Sequence, residues 1–269
     1  MTEPTQPCVV LCDLDGVVWL SHQPIPGSVE AIAALRAAGH RVLFVTNNSA
    51  PRVEAQEASL LAIGIPAKGD VLTSADAAAL LIEPGERVLV CGGEGVIQAV
   101  VGRGAVVIDD QAERADVVVV GFSRTFDYEA MLRASRAVLS GARLIGTNDD
   151  ATYPTPDGPI PGGGAILASI VTASGVAPIV AGKPHEPMAA LVRATIGESA
   201  ATNAVMVGDR PETDGLMAKT LGCRYAHVES GVTAPGTAVV PVPDLVQPNL
   251  AGVAKVLIGE GLGGGSLSS

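Results

Sequence analysis

The sequence predicts an α/β protein: a doubly wound, Rossmann-like parallel sheet as the core, with a smaller α/β domain inserted into it. Three observations point there. Short apolar runs of strand length recur along the chain and alternate with stretches of helical periodicity. Four of these runs stop at polar groups: Val9–Cys12 at Asp13, Val42–Val45 at Thr46, Pro178–Gly182 at Lys183, and Ala204–Val207 at Gly208 and Asp209. Finally, the stretch between the second and third of them takes up about half of the 269 residues, which is room for a further small domain.

The first run ends in Asp13-Leu14-Asp15-Gly16-Val17-Val18-Trp19. Two carboxylates one residue apart, where a strand runs out into a glycine turn, both face one site if the chain kinks after Asp13. One can then attack an electrophile while the other handles a proton. Taken alone, the segment could also be an acidic turn closing a buried strand. Ser28 to Gly39 follows as a helix: Val29, Ile32, Ala33 and Leu35 supply an apolar face, Ser28 can cap the start and Gly39 the end. The segment between Asp15 and that helix is too short for a folded insert, so the extra domain must lie after Asn47.

Within that stretch Arg87–Cys91, Ala105–Asp109, Asp116–Gly121 and Arg143–Thr147 read as strands. Asp127 to Leu139 reads as a helix, because Tyr128, Met131, Leu132, Ser135, Val138 and Leu139 recur at helical spacing and Gly141 follows as a stop. The expected division is therefore a core of residues 1–81 and 180–258, an inserted domain at 82–179, and a glycine- and serine-rich flexible tail at 259–269. In parallel α/β sheets ligands bind outside the carboxyl ends of the strands. Asp13, Asp15, Thr46, Lys183, Asp209 and Asp214 should converge there, giving four carboxylates, one hydroxyl and one ammonium. A magnesium ion and a phosphate fit that inventory.

Composition narrows the partners. A formal charge of −11 without a Lys/Arg cluster argues against nucleic acid or an anionic membrane, both of which need a basic face. No window of 18 apolar residues survives interruption, and no positively charged segment precedes an apolar stretch at the N-terminus, so a soluble, cytoplasmic protein is expected. The cysteines Cys8, Cys12, Cys91 and Cys223 show no paired metal spacing and read as core thiols. His22, His40, His185 and His227 form no spaced pair and are expected at the surface or in turns.

Together the ordered motifs resemble the haloacid dehalogenase superfamily: D-x-D-G-V at Asp13–Val17, T-N-N at Thr46–Asn48, G-K-P at Gly182–Pro184 and G-D-R-x-x-T-D at Gly208–Asp214. Gly146-Thr147-Asn148-Asp149-Asp150 and Pro161-Gly162-Gly163-Gly164-Ala165-Ile166 are similar to its 4-nitrophenylphosphatase or NagD-like branch. Pro211 and Gly215 depart from the usual aliphatic residues of the last motif and are expected to alter the start of the following helix.

The resemblance implies that the insert is a type-two cap and that the chain is a phosphatase. Asp13 would attack phosphorus to form an aspartyl-phosphate. Asp15 would protonate the leaving alkoxide and then activate water. Mg²⁺ would be held by Asp13, Asp209 and the main-chain carbonyl of Asp15, with Asp214 orienting it or acting through water. Thr46, the amides around Asn47, and Lys183 would bind the phosphate. Asn148, Asp150 and Gly163 of the cap, together with Trp19, are candidates for substrate contact. The implied substrates are small phosphorylated metabolites such as phosphoglycolate, glycerol phosphate, sugar phosphates, nucleotides or pyridoxal phosphate, and the implied assembly is a homodimer through the cap. Two other functions share parts of this pattern. A phosphotransferase or phosphomutase would use the same intermediate, and a phospho-signalling receiver also gathers acids, a hydroxyl and a lysine around magnesium. The receiver needs neither Asp15 nor an insert of this size.

Overall fold

A computed structural model describes residues 7–108, 114–155 and 157–259. Asp109 of the expected Ala105–Asp109 strand, and all of the expected flexible tail except Gly259, lie outside the described residues. The chain packs as two compact units. The first takes its residues from Met1–Phe44, Leu60–Asp70 and Glu198–Ser269, and the second from Val45–Ser59 and Val71–Gly197. The second thus gathers residues 45–59, 71–81 and 180–197 beside the 82–179 segment.

The expected α/β class is observed in both units. In the first, five strands stand in the order Leu245–Gln247, Arg224–Val228, Val205–Gly208, Val9–Cys12 and Arg41–Thr46, each parallel to the next. The unit boundary falls inside the last of these, after Phe44. Val9–Cys12 is central, with Val10, Leu11 and Cys12 fully buried. A parallel strand covered on both faces selects such an unbroken apolar run. From this strand the chain moves to one side at Arg41 and later returns on the other side at Val205. Such a reversal opens a crevice outside the carboxyl ends of the two strands that flank it. The residues following those two ends are Asp13 and Asp209.

Helices Ser28–Ala37 and Leu250–Leu257 pack against each other in this unit. Ser28 does not cap the first of them. Gly27, at φ 82°, holds the cap position without a side-chain bond, and Ser28 Oγ donates to the Val18 carbonyl at 2.8 Å. The helix begins one residue earlier than a serine cap would allow, which leaves this hydroxyl inside the first turn. Gly39 follows the helix at φ 89°, as the stop signal predicts.

In the second unit five parallel strands run in the order Ile179–Val180, Arg143–Gly146, Val117–Val120, Arg87–Cys91 and Val106–Ile108. Helices Tyr128–Leu139 and Gly163–Ser174 pack on the sheet around Val118, Val120, Leu144, Leu167 and Ile170. Asp127 caps the former, its carboxylate accepting from the Ala130 amide at 2.8 Å. Of the apolar face read from the sequence, Ser135 and Val138 are buried, but Tyr128 and Leu139 are 68% and 65% exposed. A 12-residue helix is about 18 Å long and a four-residue strand about 13 Å, so a strand of this length does not span the whole helix.

Among the described residues no helix is long and apolar enough to cross a membrane, and none of the four cysteines is in a disulfide. Two histidines depart from expectation: His40 and His227 are buried. Each has a polar partner that makes burial tolerable. The Cys8 amide donates to His40 Nδ1 at 3.2 Å, and His227 Nδ1 lies 2.9 Å from the Tyr225 hydroxyl.

Two truncations of the same residue type should separate core from surface. Leu11→Ala, at a fully buried position of the central strand, is expected to lower unfolding stability by about 2–5 kcal/mol. Leu139→Ala is expected to stay within about 0.5 kcal/mol of the parent. Urea unfolding followed by circular dichroism measures both.

Candidate active site

In the first unit Asp13 continues the central strand, its amide donating to the Val207 carbonyl at 3.0 Å. The chain then turns sharply. The Leu14 carbonyl accepts the amides of Val18 at 2.9 Å and Trp19 at 3.1 Å, and Gly16 takes φ +88°. Only glycine fits this position: its conformation is left-handed, and a Cβ there would stand 2.5 Å from Cγ of Asp209. The kink read from the sequence is therefore present. It buries Asp13 and leaves Asp15 half-buried two residues on.

Asp13, Asp209 and Asp214 are all buried, and each offers a carboxylate oxygen such that the three atoms lie within 4.8 Å of one another. Asp15 is not part of this trio. Main-chain amides reach each acid: Leu14 N–H donates to Asp13 Oδ1 at 2.8 Å, Val232 N–H to Asp209 Oδ2 at 2.8 Å, and Arg210 N–H to Asp214 Oδ2 at 3.1 Å. Pro211 and Gly215, expected to alter the helix start, are the first and last residues of the turn that precedes it. Pro211–Gly215 winds as a wide π-helical turn ahead of helix Leu216–Leu221, with both the Asp214 and Gly215 amides directed at the Arg210 carbonyl. Wide turns of this kind recur at functional sites.

The segment after strand Arg224–Val228 was missed in the sequence. Ser230 Oγ donates to the Gly16 carbonyl at 2.7 Å and Thr233 Oγ1 to the Asp209 carbonyl at 2.7 Å, so residues 230–233 brace both acidic loops. Only a weak signal was available: the mixed run Arg224–Val228 stops at the polar Glu229 and Ser230 and at Gly231. Trp19, a candidate for substrate contact, is 2% exposed and meets the His22 ring edge-on at a centroid distance of 4.8 Å.

In the second unit Asn47 is the hub. Its carboxamide accepts from the Lys183 amide at 2.7 Å and donates to the Lys183 carbonyl at 3.0 Å and to Asp150 Oδ2 at 3.1 Å. The Asn47 carbonyl accepts from Asn148 Nδ2 and Ser74 Oγ, both at 2.8 Å. Thr46 Oγ1 accepts from the Asn48 amide at 3.0 Å. Lys183, Asn47 and Asn148 are buried, and Gly163 lies close enough to Asn148 that a Cβ would come 2.9 Å from Oδ1. His185 Nε2 is 3.0 Å from Asp149 Oδ2, and this bond holds the Asp149 carboxyl below its usual range. The structure thus gathers the second motif, the third motif and the Thr147–Asp150 loop within one unit. The amides around Asn47 are the expected phosphate contacts, while its side chain is engaged with Lys183 and Asp150.

Comparison with known proteins agrees with this arrangement. Residues 10–105 match the model of a haloacid dehalogenase-like hydrolase family, and residues 180–253 match a second, HAD-hydrolase-like model. The chain is 36% identical over 239 residues to a D-glycerol 3-phosphate phosphatase of Mycobacterium tuberculosis, covering 87% of this chain but only 66% of that protein, just under two thirds of its length. It is 36% identical over 227 residues to an acid sugar phosphatase of Staphylococcus saprophyticus, covering 83% of this chain and 86% of that one. A crystal structure of a glycerol phosphate phosphatase from Mycobacterium tuberculosis in complex with magnesium superposes with a TM-score of 0.84 at 32% identity, over 94% of this chain and 79% of the other. With family models matched at both ends of the chain and more than a third identity across most of a curated relative, the protein belongs to the haloacid dehalogenase-like hydrolases.

Proposed function

We propose that the protein is a Mg²⁺-dependent phosphoric monoester hydrolase acting on small sugar or polyol phosphates through an aspartyl-phosphate on Asp13. The buried trio of Asp13, Asp209 and Asp214 carries this reading. Three carboxylates taken out of water at that spacing repel strongly, and buried charges persist where they are paired or bind a metal. Hard oxygen donors without histidine or thiolate suit magnesium. The residues present fit the ion: Asp13, Asp209 and Asp214 would hold it, with the main-chain carbonyl of Asp15. Bound there, it supplies positive charge that offsets the repulsion between an attacking carboxylate and an anionic phosphate.

The chain's own groups do the rest. A carboxylate oxygen of Asp13 attacks phosphorus as the substrate's ester oxygen leaves. Asp15, half-buried in the same turn, gives that oxygen a proton and later takes one from the water that opens the acyl phosphate. Thr46 and Lys183 are assigned to the phosphate, the ammonium countering its charge. Asn47, whose carboxamide engages both main-chain groups of Lys183, is assigned to setting the lysine's position. Asn148, Asp150 and Gly163 of the 82–179 cap, and Trp19, are assigned to the leaving portion of the substrate. The names of the relatives favour glycerol phosphate and sugar phosphates within this class.

Phosphate release from a panel of these esters tests the activity itself. Asp13→Asn is expected to lower kcat by roughly four orders of magnitude or more while circular dichroism stays unchanged. Near-parental turnover in that variant would remove the covalent mechanism. Excess chelator should stop hydrolysis and added Mg²⁺ restore it; full activity in chelator would count against the acidic trio as a metal site. Asp15→Asn should lose roughly 10²–10⁴-fold on an alkyl phosphate but far less on nitrophenyl phosphate, whose phenoxide leaves with little help. Equal losses on both esters under single-turnover conditions would end the acid/base assignment.

A further inference from the structure

Tyr225 and His227, two residues apart on strand Arg224–Val228, are a buried polar pair that the mechanism above does not use. Each is 3% exposed, and the phenol oxygen and His227 Nδ1 share a hydrogen bond of 2.9 Å. Burial pushes the Tyr225 phenol up, and the charges of Asp214 and Asp209 push it further; burial pushes the His227 imidazole down. Both side chains are therefore neutral near neutral pH, so the pair brings no charge to the acids beside it.

The pair meets the main chain on both sides of the acidic turn. His227 is the register partner of Gly208 on the neighbouring strand. Gly208 immediately precedes Asp209. The Tyr225 ring lies against Gly215, where an added Cβ would stand 2.9 Å from Tyr225 Cε1 and 2.8 Å from Pro241 Cγ. Gly215 immediately follows Asp214. This close approach accounts for the glycine at this position.

We propose that Tyr225 and His227 are positioning residues for the metal ligands: by bracing the main chain at Gly208 and Gly215 they set the spacing of Asp209 and Asp214. The inference rests on the magnesium reading of the trio. Partners that orient metal ligands typically change affinity 10–100-fold when removed, whereas a pair that only filled the core would change stability and leave cation affinity alone.

Isothermal calorimetry of Mg²⁺ into the full chain, without phosphate, separates these cases. Tyr225→Phe, which deletes only the hydroxyl, is expected to weaken Mg²⁺ binding about 10-fold, and His227→Asn at least as much. The kcat of both variants should recover when Mg²⁺ is raised in proportion. If Tyr225→Phe fails to fold, His227→Asn decides. Mg²⁺ affinity within twofold of the parent, with only the unfolding midpoint lowered, would overturn the assignment and leave the magnesium reading standing. Absence of Mg²⁺ binding to the parent protein would overturn both.

Discussion

Three carboxylates buried within 4.8 Å of one another are the constraint on which the first unit is organised. At an effective dielectric of about 20, two unit charges at that distance repel by about 3 kcal/mol. Three such pairs, inside a chain that already carries −11, would push the crevice open if nothing opposed them. Main-chain amides oppose part of it, one from each of three separate loops, at Leu14, Arg210 and Val232. A divalent cation in the proposed site would oppose more of it, so the arrangement that makes the trio costly is also what makes it bind.

That demand explains the backbone around the trio. The chain must bring main chain, not side chains, up to the carboxylates, because amides donate at short range with little added volume. Gly16 and Gly231 mark two close approaches, and at either position a Cβ would strike the Asp209 carboxyl group; at Gly208 it would strike that of Asp214. Ser230 then ties one of these loops to the other through the Gly16 carbonyl. Motifs that read as acids in the sequence are thus held by glycines and hydroxyls that carry no charge.

The second unit is organised around the main chain of the buried Lys183. Its main-chain N–H and C=O both bond one carboxamide, that of Asn47, which lies 136 residues earlier. The same residue bonds Asp150 and, through its carbonyl, Asn148 and Ser74. A satisfied buried polar network of this kind specifies one arrangement, since losing any member leaves the others unpaired at low dielectric. The network gives a physical reason for an asparagine directly after Thr46, which a phosphate contact alone does not require.

Much of this was legible in the residues before any coordinates. Apolar runs that halt at Asp13, Thr46, Lys183 and Asp209 announce strand ends, because burial on both faces of a parallel sheet demands such runs and the carboxyl ends are where polar groups are useful. The glycine after Asp15, the stop at Gly39 and the helix ending at Leu139 are local signals legible in the sequence, whereas the cap assigned to Ser28 failed because Gly27 started the helix first. What no local pattern could decide is which strand ends become neighbours. The order that sets Val9–Cys12 beside Val205–Gly208, the pairing of His227 with Gly208, and the engagement of Asn47 with Lys183 all join residues far apart in sequence or depend on the register between strands. Periodicity and chain-breaking residues act over a few positions and so determined the elements and their chemically active ends. Strand order and packing arise from contacts that close loops of tens to more than a hundred residues, so only the tertiary structure decided which of those ends meet.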